Sequence, residues 1–334
     1  MRRALALALV LSACPPAPEH PASSSAILDV VDMHADLGVA VHAGHVTLDD
    51  STFALSADRL RRGGVRTLVV PLFAFDASDR PPSDVRLDYS AVRAELEAEL
   101  SRAGHPVEIV YAFEGADGFA DRPEALDAFA SEGACLLGVV HRRSNALGGA
   151  SQEPDHEQRT RGISDAGRAV AERALADGML LDVAHASDTT FDDLAAIAEA
   201  HGSPLVDSHT GMRALLAIDR NLDDARVRRV ASSGGVVAID VHGGHVGSVP
   251  GEPPSIDDIV AHVLHAQAVA GTQHVALGSD FGGGIVAPAE ADGAAWWPML
   301  AERLRQRGVD EASLAALFSG NARRVLARCR SSHR

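Results

Sequence analysis

The sequence of 334 residues contains no lysine, so all 30 of its formally basic residues are arginines. The absence of lysine excludes Schiff-base catalysis by a lysine amine, a phosphate-binding P-loop and a carboxylated lysine that bridges two metal ions. Cysteine is also scarce, and its three residues are too few for a zinc site built from thiolates alone. The formal net charge of -16 argues against nucleic acid and anionic membrane surfaces as partners.

The apolar run near the N-terminus, residues 4–11, is too short for an ordinary membrane span. Two arginines precede it and the sequence LSAC, ending at Cys14, follows it. This arrangement resembles a bacterial lipoprotein signal, in which Cys14 is lipidated, and the alternative is a plain secretory signal with a chance cysteine. We therefore expect a signal at 1–14, a flexible tether rich in Pro, Ala and Ser at 15–26, and a lipid-anchored protein of the bacterial cell envelope that faces the periplasm or the outside.

The composition of the chain, 46% hydrophobic and 23% charged, is typical of a folded globular protein. The length would permit two domains, although α/β barrels of this size form one. Eight apolar runs alternate with helix-like segments, which predicts an α/β fold, a single-domain (β/α)8 TIM-type barrel over residues 27–328 with a polar tail at 329–334. The runs are residues 27–33, 65–72, 107–113, 135–140, 179–184, 204–208, 235–241 and 274–279.

The sequence also bears on dinucleotide binding and on disulfide bonding. The glycines at 282–284 lack the spacing of a dinucleotide-binding turn, and no such fingerprint follows any of the predicted strands. Cys135 opens a predicted buried strand, whereas Cys329 lies in the predicted tail. The sequence leaves open whether these two cysteines form a disulfide bond.

Polar side chains of ligand type follow six of the eight predicted strands. In a barrel all of them would project from the C-terminal ends of the strands, where barrel enzymes have their active sites. His34 and Asp36 are two residues apart and would point to the same side of an extended strand. His34 and Asp36 can hold one cation, and His185 and His209 can hold a second. A glutamate between the two pairs can bridge two divalent metals. The candidates are His34, Asp36, Glu114, His141, His185, His209 and Asp280.

Each candidate taken alone has a simpler explanation, because an isolated histidine at the end of a strand is more often a hydrogen-bonded structural residue. The shared position at strand ends favours a metal site. His242 and His245 end the seventh strand without an apparent partner and are left unassigned. The remaining histidines considered are expected on the surface: His42, His45, His105, His156, His201, His262 and His265.

An ordered series of short motifs resembles those of the membrane (renal) dipeptidase family, a family of binuclear zinc metallopeptidases in the amidohydrolase-like superfamily. The resemblance extends from about Asp32 to Leu326, which is nearly the whole predicted domain. The motifs are VDMHAD (31–36), FEG (113–115), VHR (140–142), ISDAGR (163–168), LDVAHAS (181–187), SH (208–209), DRNL (219–222), GGVV (234–237) and GSDF (278–281).

The resemblance implies a cofactor of two Zn²⁺ ions. By position, His34, Asp36 and Glu114 would bind one zinc ion, and Glu114, His185 and His209 would bind the other. The lack of lysine agrees, since this family bridges its metals with a glutamate.

The resemblance also implies roles for three further residues and a homodimeric state. His141 would polarise the scissile carbonyl, and Arg220 would pair with the terminal carboxylate of the substrate. Asp280 would carry a proton to the leaving amine. Without the resemblance, Arg220 would be interpreted as an ordinary surface arginine.

Departures from the family pattern leave every expected metal ligand in place. They concern Ala35, Asp117, Gly282 and the stretch 241–244, which lie in loops that shape the substrate pocket. We therefore expect a zinc-dependent dipeptidase that accepts small dipeptides, including ones with a C-terminal D-residue. The alternatives are another amidohydrolase acting on a lactam, ester or N-acyl amino acid, and a non-catalytic metal-binding lipoprotein.

Overall fold

A computed structural model of the protein describes residues 28–44, 46–74, 77, 80–249 and 252–331. The predicted signal with Cys14, the tether at 15–26, His45 and the last three residues lie outside the described residues. Within the described part of the chain, no helix combines the length and the apolar character needed to cross a membrane.

Eight parallel strands form a barrel in which each strand pairs with its neighbour in sequence. The barrel closes between the last strand and the first, where the Met33 N–H donates to the Leu277 carbonyl and the Asp280 N–H to the His34 carbonyl, both at 2.9 Å. This closure confirms the predicted single-domain (β/α)8 barrel, and each predicted apolar run overlaps one strand. The strands are β1 (Val30–Asp32), β2 (Val65–Leu72), β3 (Glu108–Glu114), β4 (Ala134–Gly138), β5 (Leu180–Asp182), β6 (Val206–Thr210), β7 (Val236–Ile239) and β8 (Val275–Leu277).

Helices surround the barrel, and several begin where a serine or aspartate side chain accepts a backbone N–H of the first turn. The second helix begins at Ala57, because the Ser56 side chain accepts the Arg59 N–H and caps it. The third helix begins at Pro82, since the fixed φ of proline suits a first turn. The α-helices are α1 (Leu37–His42), α2 (Ala57–Gly63), α3 (Pro82–Arg102), α4 (Leu126–Ser131), α5 (His156–Thr160), α6 (Asp165–Ala176), α7 (Asp188–Ala200), α8 (Asp224–Ser232), α9 (Gly243–Val246), α10 (Ile256–Ala270), α11 (Trp297–Gln306), α12 (Glu311–Ala315) and α13 (Asn321–Ser331).

The last helix closes the end of the barrel at which the strands begin. Its residues Ala322, Val325, Leu326 and Cys329 recur at helical spacing and pack with the side chains of the barrel interior. At the start of the helix, the Asn321 amide donates to the Val275 carbonyl at 2.7 Å, at the first residue of β8. With this end filled, the opposite end of the barrel is the one open to a ligand.

Cys329 lies in this helix, which corrects the expectation of a polar tail from residue 329. The helix continues to Ser331 because Cys329 extends its apolar face and is buried. Cys329 forms a disulfide bond with Cys135 of β4, across a Cα–Cα distance of 5.5 Å and 194 residues of sequence. The bond therefore ties the last helix to the barrel wall and answers the question that the sequence left open.

Replacing both Cys135 and Cys329 with serine is expected to lower the free energy of unfolding by about 2–5 kcal/mol, because the long covalent loop no longer restricts the unfolded chain. Urea unfolding of the chain from residue 23 onward measures this difference. Dithiothreitol should destabilise the wild-type protein by a similar amount and leave the double variant unchanged. Two titratable thiols in the native, unreduced protein would contradict the bond.

Candidate metal centre

The predicted metal ligands meet at the end of the barrel where the strands finish. Glu114 is the last residue of β3, and His209 lies in β6. The other predicted ligands follow β1 and β5 within four residues, and Asp280 follows β8 by three. Parallel strands bring these positions together although they are spread over about 250 residues of sequence. Three overlapping groups of candidate ligand atoms each fit within 4.8 Å: His34, Glu114 and His209; Glu114, His141 and His185; and His34, Asp36 and Asp280.

Glu114 lies at the centre of the cluster. Its Oε1 atom is 2.9 Å from the Nε2 atom of His185 and 3.5 Å from the Nε2 atoms of both His34 and His209. Its other oxygen, Oε2, is 3.7 Å from the Nε2 atom of His141. One carboxylate therefore lies close to His34, a predicted ligand of one metal, and to His185 and His209, the predicted ligands of the other, as a bridging ligand must.

The second group of atoms lies around His34. Its Nε2 atom is 3.8 Å from Asp36 Oδ1 and 3.9 Å from Asp280 Oδ1. His34 Nε2 and Asp36 Oδ1 are buried and have no hydrogen-bond partner among the described residues. Buried polar atoms without partners are costly, so their convergence fits a bound cation that would satisfy both.

Hydrogen bonds on the far side of each imidazole orient these histidines. The Ser208 hydroxyl lies 2.9 Å from Nδ1 of His209 and 3.3 Å from Nδ1 of His34. Nδ1 of His185 lies 2.9 Å from the side-chain oxygen of Gln152. Because Nδ1 is occupied in all three rings, Nε2 is the nitrogen left for a metal, which is the usual support of a metal-binding histidine.

The protonation states of the free site also fit a metal centre. Burial raises the pKa of Asp36 to about 7. Burial, followed by the charges of neighbouring carboxylates, raises the pKa of Glu114 and of Asp280 well above the ordinary range. Crowded carboxylates of this kind need a cation to remain ionised together.

The histidines shift in the opposite direction. Burial lowers the pKa of His34 and of His141 to about 3, and lowers the pKa of His185 and of His209 well below the usual value. Neutral imidazole is the form that coordinates metals. The residues present therefore fit a centre with divalent metal ions.

Sequence reasoning missed a set of buried aspartates whose carboxylates fix the backbone at the ends of the strands that carry the site. Asp32, Asp207 and Asp240 each lie two residues before a histidine, and each accepts the backbone N–H of that histidine at 3.2–3.3 Å. Asp182 accepts the N–H of Ala184 in the same way at 3.1 Å. The repeated Asp-x-His pattern at three strand ends was a signal that could have revealed them.

Two of the site residues have left-handed backbone conformations: His185 with φ 64° and Asp280 with φ 59°. Residues other than glycine rarely adopt positive φ, and such conformations concentrate at functional sites. Gly282 has φ 96°, and a Cβ atom on Gly283 would lie 2.3 Å from the Asp36 carboxylate. The glycines after Asp280 are thus required by this loop, including the one that departs from the family pattern.

A cavity of about 850 Å³ opens over the cluster. His141 lines it, as expected of a residue that contacts substrate, and so do the unassigned His242 and His245. Arg220 is not among the lining residues. It is buried, its Nη2 donates to the His209 carbonyl at 2.5 Å, and its Nε has no partner in the described structure. Its burial excludes the alternative of an ordinary surface arginine, and its expected role toward the substrate carboxylate stays a prediction.

His262 was expected on the surface, and this prediction is wrong. Its side chain is buried and its Nδ1 accepts the backbone N–H of Met212 at 2.8 Å. The position belongs to the inner face of α10, which packs against the loop after β6. His42 and His265 are partly exposed and pair with Glu95 and Asp224.

Burial lowers the pKa of His262 from its ordinary value of 6.5 to about 4. As the pH falls below 6.5, the unfolded chain takes up the proton before the folded chain does, so the folded state loses stability. We expect this group to remove about 1–2 kcal/mol between pH 7 and pH 5. His262→Asn keeps an acceptor for Met212 and should remove that part of the pH dependence in urea unfolding. His201→Asn, at an exposed position, serves as the control, and an unchanged slope in His262→Asn would contradict the assignment.

A closed parallel barrel with carboxylates and neutral histidines at the C-terminal ends of its strands is typical of metal-dependent hydrolases. The sequence profile of the membrane dipeptidase family (peptidase family M19) matches residues 82–333, so the chain belongs to that family. The match begins after β2, and the structure brings His34 and Asp36, which lie outside it, to the residues within it.

Two curated relatives illustrate the similarity of this chain to known proteins. The chain is 33% identical over 233 residues to an uncharacterized protein in the pqqA 5′ region of Klebsiella pneumoniae, a match that covers 68% of this chain and 84% of that protein. It is 29% identical over 177 residues to the dipeptidase aclJ of Aspergillus oryzae, covering 53% of this chain and 41% of the relative. The matched segment is thus less than half the length of the fungal protein.

Two solved structures have the same fold. A dipeptidase AC, a metallopeptidase of family M19, superposes with a TM-score of 0.79 at 23% identity and covers 91% of this chain and 99% of its own. A metallopeptidase from Rhodobacter sphaeroides, bound to a phosphinate mimic of the dipeptide L-Ala-D-Ala, has a TM-score of 0.76 at 22% identity, with coverage of 91% and 100%. Both confirm the barrel.

Proposed function

We propose that this protein is a zinc-dependent dipeptidase that holds two zinc ions, bridged by Glu114, and hydrolyses the peptide bond of small dipeptides. The observation that carries the proposal is the convergence of three histidine Nε2 atoms within 3.5 Å of one oxygen of Glu114. Membership of the membrane dipeptidase family and the likeness to a metallopeptidase that binds a dipeptide mimic support it.

The proposed ligand sets share Glu114. His34 and Asp36 would complete the site of one zinc ion, and His185 and His209 would complete the other. When bound, two zinc ions supply a hydroxide at neutral pH and polarise the scissile carbonyl.

His141 and Asp280 would act on the substrate from the cavity wall. Because burial keeps the pKa of His141 at about 3, its imidazole is neutral and can donate an N–H to the carbonyl oxygen as negative charge develops there. Asp280 lies beside the predicted ligands, with Oδ1 3.9 Å from Nε2 of His34, so its carboxylate can accept a proton from the nucleophile and pass it to the leaving amine.

The test is hydrolysis of a panel of L,L and L,D dipeptides by the chain from residue 23 onward, with zinc added or removed by a chelator. Cleavage of dipeptides that depends on zinc is expected. A tripeptide and an N-acetylated dipeptide serve as comparison substrates. Activity confined to longer peptides, or hydrolysis that persists after chelation and dialysis, would overturn the proposal.

Arg220 distinguishes the dipeptidase from an amidohydrolase acting on a lactam, ester or N-acyl amino acid. We propose that its guanidinium attracts the terminal carboxylate of a dipeptide, so Arg220→Gln should lower kcat/KM for dipeptides by about 100-fold, mainly through KM. Arg228→Gln, in the exposed part of α8, should leave kcat/KM within about twofold. Full dipeptidase activity in Arg220→Gln would favour the alternative substrates.

We also propose that Cys14 is lipidated and anchors the enzyme in the bacterial cell envelope, and that the enzyme is a homodimer. The LSAC sequence after a short apolar run supports the anchor, and the family resemblance supports the dimer. Cys14→Ser should move the protein from the membrane fraction to the soluble fraction, and light scattering should give twice the monomer mass. An unchanged membrane fraction or a monomer would contradict the respective proposal.

A further inference from the structure

The loop after β7 contributes two histidines to the cavity wall that the proposed reaction does not use. His245 is buried, and its Nδ1 lies 2.5 Å from Oδ2 of the fully buried Asp240. A carboxylate at this distance accepts the Nδ1–H and fixes the ring. In the neutral ring, Nε2 of His245 is therefore a hydrogen-bond acceptor, and the ring lines the cavity.

A backbone hydrogen bond holds His242 in the tautomer whose Nε2 carries the proton and can donate it. Its Nδ1 accepts the backbone N–H of Val286 at 3.2 Å, so the proton of the neutral ring is on Nε2. The rings of His242 and His245 meet edge to face, with centroids 4.6 Å apart. A Cβ atom on Gly244 would lie 2.8 Å from His242 Nε2, so the glycine leaves room for this ring.

The loop is fixed to both of its neighbours. The Gly243 N–H donates to the Val286 carbonyl at 2.8 Å, in the loop after β8. The Asn221 amide donates to the His245 carbonyl at 2.8 Å. Asn221 directly follows Arg220, so the two histidines are joined to the segment that carries the proposed carboxylate partner. A wall held in this way is arranged before a ligand binds.

The charged side chains of the cavity wall outside the metal cluster are mostly cationic. Arg142 lines the cavity, is exposed, and pairs with no carboxylate among the described residues. Arg143 differs, because its guanidinium approaches Glu153 at 3.6 Å. Asp117 is the acidic lining residue outside the cluster, and its carboxylate accepts the Asn145 amide at 2.8 Å while burial raises its pKa. Arg142 therefore offers a positive charge, and His242 an Nε2–H donor, to a ligand in the cavity.

We propose that Arg142 and His242 form a subsite for a carboxylate side chain on the C-terminal residue of the dipeptide, with His245 packed against the His242 ring, so that the enzyme selects acidic dipeptides. The inference rests on the proposed function and narrows its substrate class. The connection through Asn221 to Arg220 is the reason for assigning the subsite to the C-terminal residue, since that residue bears the carboxylate that Arg220 would attract.

The test compares Ala–Glu with Ala–Gln, two dipeptides of nearly the same shape that differ by one charge, each with an L- or a D-residue at the C-terminus. The zinc-loaded wild-type enzyme should cleave the better glutamate isomer with a kcat/KM about tenfold or more above that of its glutamine counterpart. The same ratio in Arg142→Gln and His242→Gln should fall toward one. Arg143→Gln, the neighbouring arginine beside Glu153, should keep the wild-type ratio.

Failure of the inference is distinct from failure of the dipeptidase assignment. Efficient cleavage of both substrates at a ratio near one would overturn the acidic preference and leave the dipeptidase intact. A high ratio that survives in both Arg142→Gln and His242→Gln would overturn the placement of the subsite. No cleavage of any dipeptide, charged or neutral, would overturn the proposed function and with it the inference.

Discussion

Glu114→Gln is expected to lower kcat/KM for dipeptides by about 10³-fold or more, because the amide cannot carry the negative charge that a bridge between two cations requires. The carboxylate has three histidine Nε2 atoms within 3.5 Å of one oxygen, so its loss affects both proposed metal sites at once. Zinc content measured by plasma mass spectrometry should fall below two per chain. Steady-state kinetics and metal analysis on the same sample test both parts of the expectation.

Glu108→Gln is the matched control for this substitution. Glu108 begins the strand that Glu114 ends, and its carboxylate accepts the Thr67 hydroxyl on the far side of the barrel from the site. The control should retain two zinc ions and its kcat/KM. A Glu114→Gln enzyme with two tightly bound zinc ions and near wild-type kcat/KM would contradict the bridging role.

Asp280→Asn is the second substitution with a large expected effect. An amide cannot carry a proton from the nucleophile to the leaving amine, so kcat should fall by about 10²–10³-fold. The backbone should not change, because asparagine tolerates the positive φ of this position as well as aspartate does. The reduction should appear in kcat at saturating dipeptide and at full zinc loading.

Asp292→Asn provides the comparison for Asp280→Asn. Asp292, like Asp280, follows β8 in the chain. Unlike Asp280, it has a half-exposed carboxylate that pairs with Arg59 and Arg62. This variant should retain its kcat. If Asp280→Asn keeps two zinc ions and a kcat near that of wild type, then another group transfers the proton.

The sequence was sufficient to locate the candidate site because the strand ends of a parallel barrel share one face. His34, Glu114 and His209 are far apart in the chain, yet each was recognisable as a polar residue at the end of an apolar run. Once the eight runs were read as strands, their convergence followed from topology alone. The bounds of α10 also follow from local sequence, since Ser255 caps its start and Gly271 follows its end.

Other features depend on contacts between distant segments and could not be derived from local pattern. The burial of His262 results from the packing of α10 against the loop that holds Met212. The pairing of Cys135 with Cys329 requires a short Cα–Cα distance, which two cysteines separated by 194 positions in sequence do not reveal. The placement of Arg220 behind the His209 carbonyl, rather than on the cavity wall, likewise depends on how two loops fold together.

The most direct test of the central claim is a titration of the metal-free protein with zinc while hydrolysis of one cleaved dipeptide is followed. We expect activity to be absent without metal, to rise with added zinc and to reach its maximum at two equivalents per chain. Full activity in the metal-free protein, or two bound zinc ions without hydrolysis of any dipeptide in the panel, would contradict the claim.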